Sequence, residues 1–543
     1  MAKSSPSSVP VFAREATGLV RELSLVDALW IGIGIGENIP VGLPLIFGLF
    51  VFLFPNADIF SALVVGFLAN LAVAALFGMM GAAMPRSGGD YVWTSRVLGP
   101  IAGFATNFAY FIFLLAAAIG FVMFQFSGYF LSTAFQIQGA LAGQQSLVSL
   151  GVLLGTPMMS FALGSAVLLA MLLISIFGLR LAKKFLGILT IITVVGTFAA
   201  IYLFATTTNQ QFVTEFNSYQ STLGSTYQNV MTVAGQNGWS SVAPTMIGAF
   251  FPLVYTFNMY GGFNFQAYNA GEIKHVTRNL PLSIFIALGT GLVMWGALGY
   301  LVPVVLGHDF FQAINYLYFN NPTAYSAAVT QPPSLTLFID IMSINNPALF
   351  WTIFIGFFCS YAAFILAYFQ VLPRIIFSWS FDRVVSGGLS KVNEKLNTPV
   401  RALVLSFALS ELCVAIYSFS SWVFSFVNFT LIAGVVNIPW GLAGLLFPYT
   451  RKEMFNNSPS IVRKKVAGIP VISIIGLAVI IIGFFSIYFD LLTPAYSGPV
   501  GQTYLILTAL PFIVPAAIYL ISKSYHKSHG IDLSLAFKQI PPE

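Results

Sequence analysis

The chain has 543 residues, of which 57% are hydrophobic and 7% are Asp, Glu, Lys or Arg, against roughly 25% charged in an average soluble domain. Its 23 basic and 17 acidic residues cannot cover the surface of so long a soluble globule, so a polytopic membrane protein is expected. Two cysteines inside apolar runs and four histidines in connecting segments or the tail supply no disulfide framework and no ligand cluster, so no metal, no cofactor and no enzyme chemistry is expected.

In chain order, residues 1–24 form a polar tail with Lys3, Arg14 and Arg21. The apolar run that follows is too long for a signal-peptide core and reads as a true first span. Runs near the roughly 20 residues that a bilayer requires place spans at 25–54, 58–84, 98–134, 159–178, 184–206, 244–270, 281–306, 336–378, 400–419, 421–447, 469–489 and 502–522, about twelve in all. With the N-terminus inside, all 23 Lys and Arg fall in the inside segments, while the outside loops near 207–243 and 307–335 carry none. This asymmetry predicts a cell-membrane protein with both termini cytoplasmic. The basic excess then faces anionic lipid, not nucleic acid. The outside loops, rich in Asn, Gln, Ser, Thr and Tyr, read as uncharged polar cover.

Two spans are interrupted. Span 1 holds Gly32, Gly34 and Gly36 followed by Glu37, Asn38 and Pro40; span 6 holds adjacent Gly261 and Gly262 between Asn258 and Asn264. Glycines and a proline at mid-span weaken a helix, and the freed backbone groups persist only where they line a cavity or hold a ligand. Five spans separate the two breaks, so they are related by inversion, which is the sequence pointer to a midplane transporter site. The outer half of span 1 would start near Asn38, a favourable N-cap, with Pro40 in its first turn, and its positive end suits a carboxylate. The outer half of span 6 would end near Tyr260, and its free carbonyls suit an ammonium group. Together they suit a zwitterion. The alternative, that these glycines only permit close helix packing, fits poorly with spacings of two and of one.

Four stretches carry a resemblance to the amino acid, polyamine and organocation transporters: "GIGIGENIP", "PRSGGDYVWTSRVLG", "YGGFNFQAYNAGEIKHVTRNLP" and "LPRIIFSWSFDRVVSGGLSKVNEKLNTPVRAL". They run in the family's order over residues from about 20 to 450. The resemblance implies the leucine-transporter type of all-α fold. Residues 25–206 would form one five-helix repeat, 244–447 its inverted partner, 469–522 two additional helices, and 523–543 a cytoplasmic tail. By position it implies a carboxylate-binding loop at Gly34, Gly36, Glu37 and Asn38. It implies an amine-binding and gating segment at Phe257, Asn258, Tyr260, Gly261 and Gly262.

The coupling-ion candidates are Glu37, Thr193, Ser360 and Asn264. Glu37 stands where the family usually has a small residue, and a charged carboxylate there requires a partner, water or a raised pKa. Asn264 occupies a place where several members carry a Glu or an Asn. Lys183 and Lys184 lie at the inner end of span 5, with Thr193 at the deeper position where some members keep a lysine; Ser360, beside Cys359 on span 8, would supply a hydroxyl to a sodium site. Asn107 and Tyr110 would line the site from span 3, or serve helix packing. Glu272, Lys274 and Arg278 would brace an inner gate, or merely be solvated. Glu411, on span 9, reads as a structural hydrogen-bonding group. The expected activity is secondary transport of an amino acid or related amine by alternating access, proton-coupled, with sodium coupling or exchange as alternatives. No phosphate-binding loop is present, so ATP drive is not expected. A non-transporting nutrient receptor is the competing class, disfavoured by the short polar tails, and a channel would require a polar stripe or charged ring that is not visible.

Overall fold

The computed structural model describes residues 18–36, 47–221, 224–329, 331–393, 395–396, 398–420, 427–492 and 502–538. The helices are α1 (Leu25–Gly36), α2 (Ile59–Ala83), α3 (Asp90–Val97), α4 (Pro100–Leu141), α5 (Gln145–Leu154), α6 (Pro157–Ile176), α7 (Leu179–Thr206), α8 (Asn209–Ser221), α9 (Tyr227–Gln236), α10 (Leu253–Met259), α11 (Val276–Leu306), α12 (His308–Asn320), α13 (Pro322–Ala328), α14 (Leu335–Met342), α15 (Pro347–Phe381), α16 (Val400–Ser420), α17 (Phe429–Thr450), α18 (Lys452–Asn456), α19 (Val471–Leu492) and α20 (Gln502–Ser528). The described strands are a single short hairpin, Lys465–Val466 against Ile469–Pro470. Among the described residues ten helices are long and apolar enough to cross a membrane. The protein is an all-α polytopic membrane protein.

Local chemistry sets the helix boundaries. The side chain of Asp58 accepts the Ser61 N–H and starts α2. Thr156 caps α6 with Pro157 behind it, and Asn428 caps α17. Asn346 and Pro347 start α15 in the same way, so the apolar run 336–378 is not one span. It divides into the short α14 and the long α15, because the Asn-Pro pair favours a new helix start over continuation. The polar segments near 207–243 and 307–335 are likewise more than cover. They fold into α8, α9, α12 and α13, whose apolar faces bury Phe212, Phe216, Val230 and Phe310.

Helix α7 shows how an apolar span divides its surface. Phe185, Ile188, Ile191, Val195, Phe198 and Tyr202 are exposed at three- and four-residue spacing, while Leu186, Thr190, Thr193 and Thr197 are buried. An exposed apolar stripe on this scale suits lipid tails. The buried face packs on α15, where the backbones touch: a Cβ added at Gly196 would lie 2.6 Å from the Gly356 Cα.

The packing resolves into two groups. Helices α1, α2, α10 and α11 pack on one another, while α4, α6, α7, α15, α16 and α17 form a second set, with α19 against α17. The groups touch along the bundle, α1 on α7 and α15, α7 on α11 and α2 on α19, and further hydrogen bonds and ion pairs gather at the basic end. There the Leu23 N–H donates to the Glu272 carbonyl at 2.9 Å and the Lys274 N–H donates to the Leu23 carbonyl at 2.8 Å. Lys183 pairs with Asp27 at 2.9 Å, and Arg180 with Glu22 at 2.7 Å.

Glu411, on α16, accepts the Ser165 hydroxyl of α6 at 2.6 Å, the neighbouring-helix bond expected for it. Glu411→Gln is therefore expected to hold thermal stability in detergent to within about 1 kcal/mol, since an amide oxygen accepts the same bond. Glu411→Leu should lower it by about 1 kcal/mol, and equal melting of the two variants would remove the bond from the account. A further acid, Asp490, lies buried in the last turn of α19 and accepts from Asn428 Nδ2 at 2.6 Å.

Candidate functional site

Helix α1 is described as far as Gly36, and the second interruption is a local consequence of residue type. Residues 37–46, and with them Glu37, Asn38 and Pro40, lie outside the described residues; the chain is helical again at 47–53. Helix α10 ends at Met259, and the backbone turns through Gly261 and Gly262, the latter at φ +102°. That φ favours glycine. The inner half of this span is not an α-helix. It runs as two 3-10 turns, Phe265–Tyr268 and Ala270–Glu272, closed by i+3 bonds such as Asn269 N–H to the Gln266 carbonyl at 3.0 Å.

A cavity of about 290 Å³ opens beside this turn. Its wall includes Ile35 of α1, Asn258, Gly261 and Gly262 at the second break, Tyr110 and Leu114 of α4, and Phe364 and Tyr368 of α15. Trp295 and Phe265 complete an aromatic surround, and Thr430 lies at its rim, its hydroxyl donating to Asn428 Oδ1 at 2.7 Å. Helix α4 departs from α geometry beside the cavity, with π-helical turns at Leu114–Gly120 and Phe126–Leu131, a departure frequent at functional sites. The lining is mostly apolar, and none of the described lining residues carries a charge. The C-terminal end of α10 reaches it, and a helix C-terminus suits a cationic group.

The positions singled out from the sequence divide. Asn258, Gly261, Gly262 and Tyr110 line the cavity. Gly34 faces α7 instead: an added Cβ would lie 3.1 Å from Leu186 Cδ1 and 3.3 Å from Thr190 Oγ1. Gly36 is the last described residue of α1. Phe257 is buried, its carbonyl accepting from Asn70 Nδ2 at 3.1 Å. The Tyr260 hydroxyl points away to α2, donating to the Leu63 carbonyl at 3.0 Å. Thr193 donates to the Leu189 carbonyl of its own helix at 2.9 Å, and Ser360 and Asn264 are buried.

Toward the basic end lies a polar layer of which sequence reading named Glu272 and Asn107 as candidates but not Arg374, Arg96, Asp382 or Asp90. Glu272 and Arg374 form a buried two-pronged pair, Nε to Oε1 and Nη2 to Oε2 each 2.9 Å, while Lys274 and Arg278 are exposed. Arg96 of α3 pairs with Asp382 at 2.6 Å. Asp90, the first residue of α3, is fully buried. Its Oδ1 accepts from Asn107 Nδ2 at 2.7 Å and from the Tyr268 hydroxyl at 2.6 Å, and its Oδ2 accepts from Trp440 Nε1 at 2.9 Å. Burial pushes this carboxyl up to about 6 against the three donors. The only sequence signal was an acid inside "SGGDY", a motif otherwise read for its glycines.

No curated protein sequence matches the chain. A family model described as amino acid permease matches residues 23–520, which includes both interruptions, the cavity wall and the polar layer beneath it. With that match spanning nearly the whole chain, over a polytopic helical fold, the protein belongs to the amino acid permease family.

Proposed function

We propose that the protein carries a neutral amino acid or related amine across the cell membrane as a proton-coupled secondary transporter, by alternating access about the glycine-rich stretch of span 1 and the turn at residues 260–264. The observation that carries this reading is the cavity at the end of α10, with a mostly apolar lining in which no described residue is charged. The C-terminal carbonyls of α10 suit the substrate ammonium group, with Asn258 beside them. The carboxylate would then fall to Glu37 and Asn38. The apolar wall suits an apolar side chain.

Residues 25–206 and 244–447 would be inverted five-helix repeats, and the basic end would face the cytoplasm, as the distribution of Lys and Arg indicates. The Glu272–Arg374 and Lys183–Asp27 pairs join α1 and the segment after α10 to α15 and α7. They would be the inner gate in its closed position.

Uptake by proteoliposomes under an imposed pH or sodium gradient tests the proposal. Accumulation of labelled leucine or phenylalanine driven by the pH gradient, with arginine and glutamate competing poorly, is the expected result. Binding without accumulation would instead indicate a receptor, and accumulation driven by sodium alone would replace the proton. Glu37→Gln should shift or abolish the pH dependence if that side chain handles protons; an unchanged profile removes the role from Glu37.

A further inference from the structure

We infer that Asp90 is a proton-binding site of the coupling mechanism: its carboxylate ties the segment after α10 to α3, α4 and α17 through Tyr268, and a proton on it releases that tie. The inference rests on the proton-coupled reading above and adds to it the residue that takes the proton.

The donors around Asp90 are fixed in role. Trp440 Nε1 can only donate. Asn107 is oriented by Trp379, whose Nε1 donates to Asn107 Oδ1 at 2.7 Å. With its oxygen so committed, Asn107 must present its amide N–H to Asp90. Tyr268 alone can reverse, because a phenol both donates and accepts. A proton that binds Oδ1 therefore makes Asp90 the donor and Tyr268 the acceptor. The Tyr268 O–H then has to find another acceptor, and a charge-assisted bond, roughly twice as strong as a neutral one, becomes a neutral one.

Tyr268 is held by little else that could replace this bond. Its carbonyl accepts the Gly88 N–H at 3.0 Å. Its ring lies on Gly89, which has φ +58° and where an added Cβ would sit 2.5 Å from ring carbon Cδ1. Glycine at that position lets the ring approach the backbone closely.

The same layer forms the floor of the cavity. Tyr110, in the cavity wall, packs edge-on to Trp440 with ring centres 5.0 Å apart, and Phe265, also in the wall, packs edge-on to Tyr268 at 5.6 Å. A substrate that moves these two rings moves both the fixed and the reversible donor of Asp90. This gives proton and substrate a shared element whose position both can bias.

The charges on the elements packed around Asp90 are engaged with one another. Arg96 of α3 pairs with Asp382 beyond the end of α15, Arg374 of α15 pairs with Glu272, and Arg451 donates to the Arg96 carbonyl at 2.6 Å. Arg86 lies over the Phe381 ring at 5.4 Å. Tyr268 and Tyr110 are the titratable groups that interact with the carboxyl, and Tyr91 follows it in the chain. Burial against neutral donors leaves the acid near 6, within reach of physiological pH swings.

The test uses the full-length protein in proteoliposomes with labelled leucine. Wild-type pH-gradient-driven accumulation and exchange are both measured against pH, and an exchange midpoint near pH 6 is expected. Asp90→Asn should lose accumulation down to the no-gradient level, and whatever exchange it keeps should no longer vary with pH. Tyr268→Phe, which removes one donor from the carboxylate and so favours the protonated form, should move the midpoint up by about one pH unit. A wild type that never responds to the pH gradient overturns the proton-coupled reading and this inference with it. A wild type that does respond, with Asp90→Asn still driven by the gradient or Tyr268→Phe leaving the midpoint in place, overturns the inference alone. If Asp90→Asn does not assemble, the Tyr268→Phe midpoint decides.

Discussion

Arg374→Ala should be the most damaging single change at the basic end. The Arg374 and Glu272 side chains are 3% and 1% exposed and share two bonds of 2.9 Å, so removal of the guanidinium leaves a buried carboxylate uncompensated. Breaking such a pair typically costs about 3–5 kcal/mol, enough to shift a two-state equilibrium by roughly a hundredfold or more. Thermal unfolding in detergent should fall well below wild type, and the basic end should become more accessible to a thiol reagent directed at a cysteine introduced there. The double change Glu272→Leu with Arg374→Met should recover most of the lost stability, because an apolar pair of similar volume avoids the desolvation cost. A single variant that melts with wild type would mean that the pair is solvated and braces nothing.

The second large effect is expected at Gly262. Its φ of +102° places any side chain in a strained conformation that costs about 1–3 kcal/mol, and it lies in the cavity wall. Gly262→Ala should therefore either shift the turn or fill the cavity, and uptake should fall by about tenfold or more at fixed substrate. Gly289→Ala is the matched control. That position is interior to α11, and an added Cβ meets nothing within 4 Å, so the change should be neutral or slightly stabilising. Equal uptake by the two variants would show that the turn at Gly262 tolerates a side chain and does not shape the site.

Much of the helix layout was legible in the chain. Helix α10 ends at Met259, one residue from the expected position near Tyr260, while the expected break in the first span falls outside the described residues. The α10 end follows from backbone chemistry, which acts over one turn and is written in adjacent residues. Where the reading strayed, a nonlocal or competing local signal prevailed. The run 336–378 looked continuous by hydropathy, but Asn346 and Pro347 start a new helix within it. The polar segment 207–243 looked like cover, but Phe212, Phe216 and Val230 find a buried surface in partners far along the chain.

The site divides along the same line. Sequence alone determined that the protein lives in a membrane, where most of its long helices run and where the span through Gly261 and Gly262 breaks, because hydropathy and glycine act locally. Which way each side chain near a break points was decided only by tertiary structure. Tyr260 turns to Leu63 and Gly34 to α7, while Asn258 and Tyr110 reach the cavity. Direction depends on how each helix is rotated against its neighbours, a quantity set by packing over the whole bundle. Asp90 shows the point most plainly: its partners Asn107, Tyr268 and Trp440 are spread across 350 residues of chain. No local pattern relates them until the helices pack, and only then does an acid beside two glycines become a buried carboxylate under the cavity.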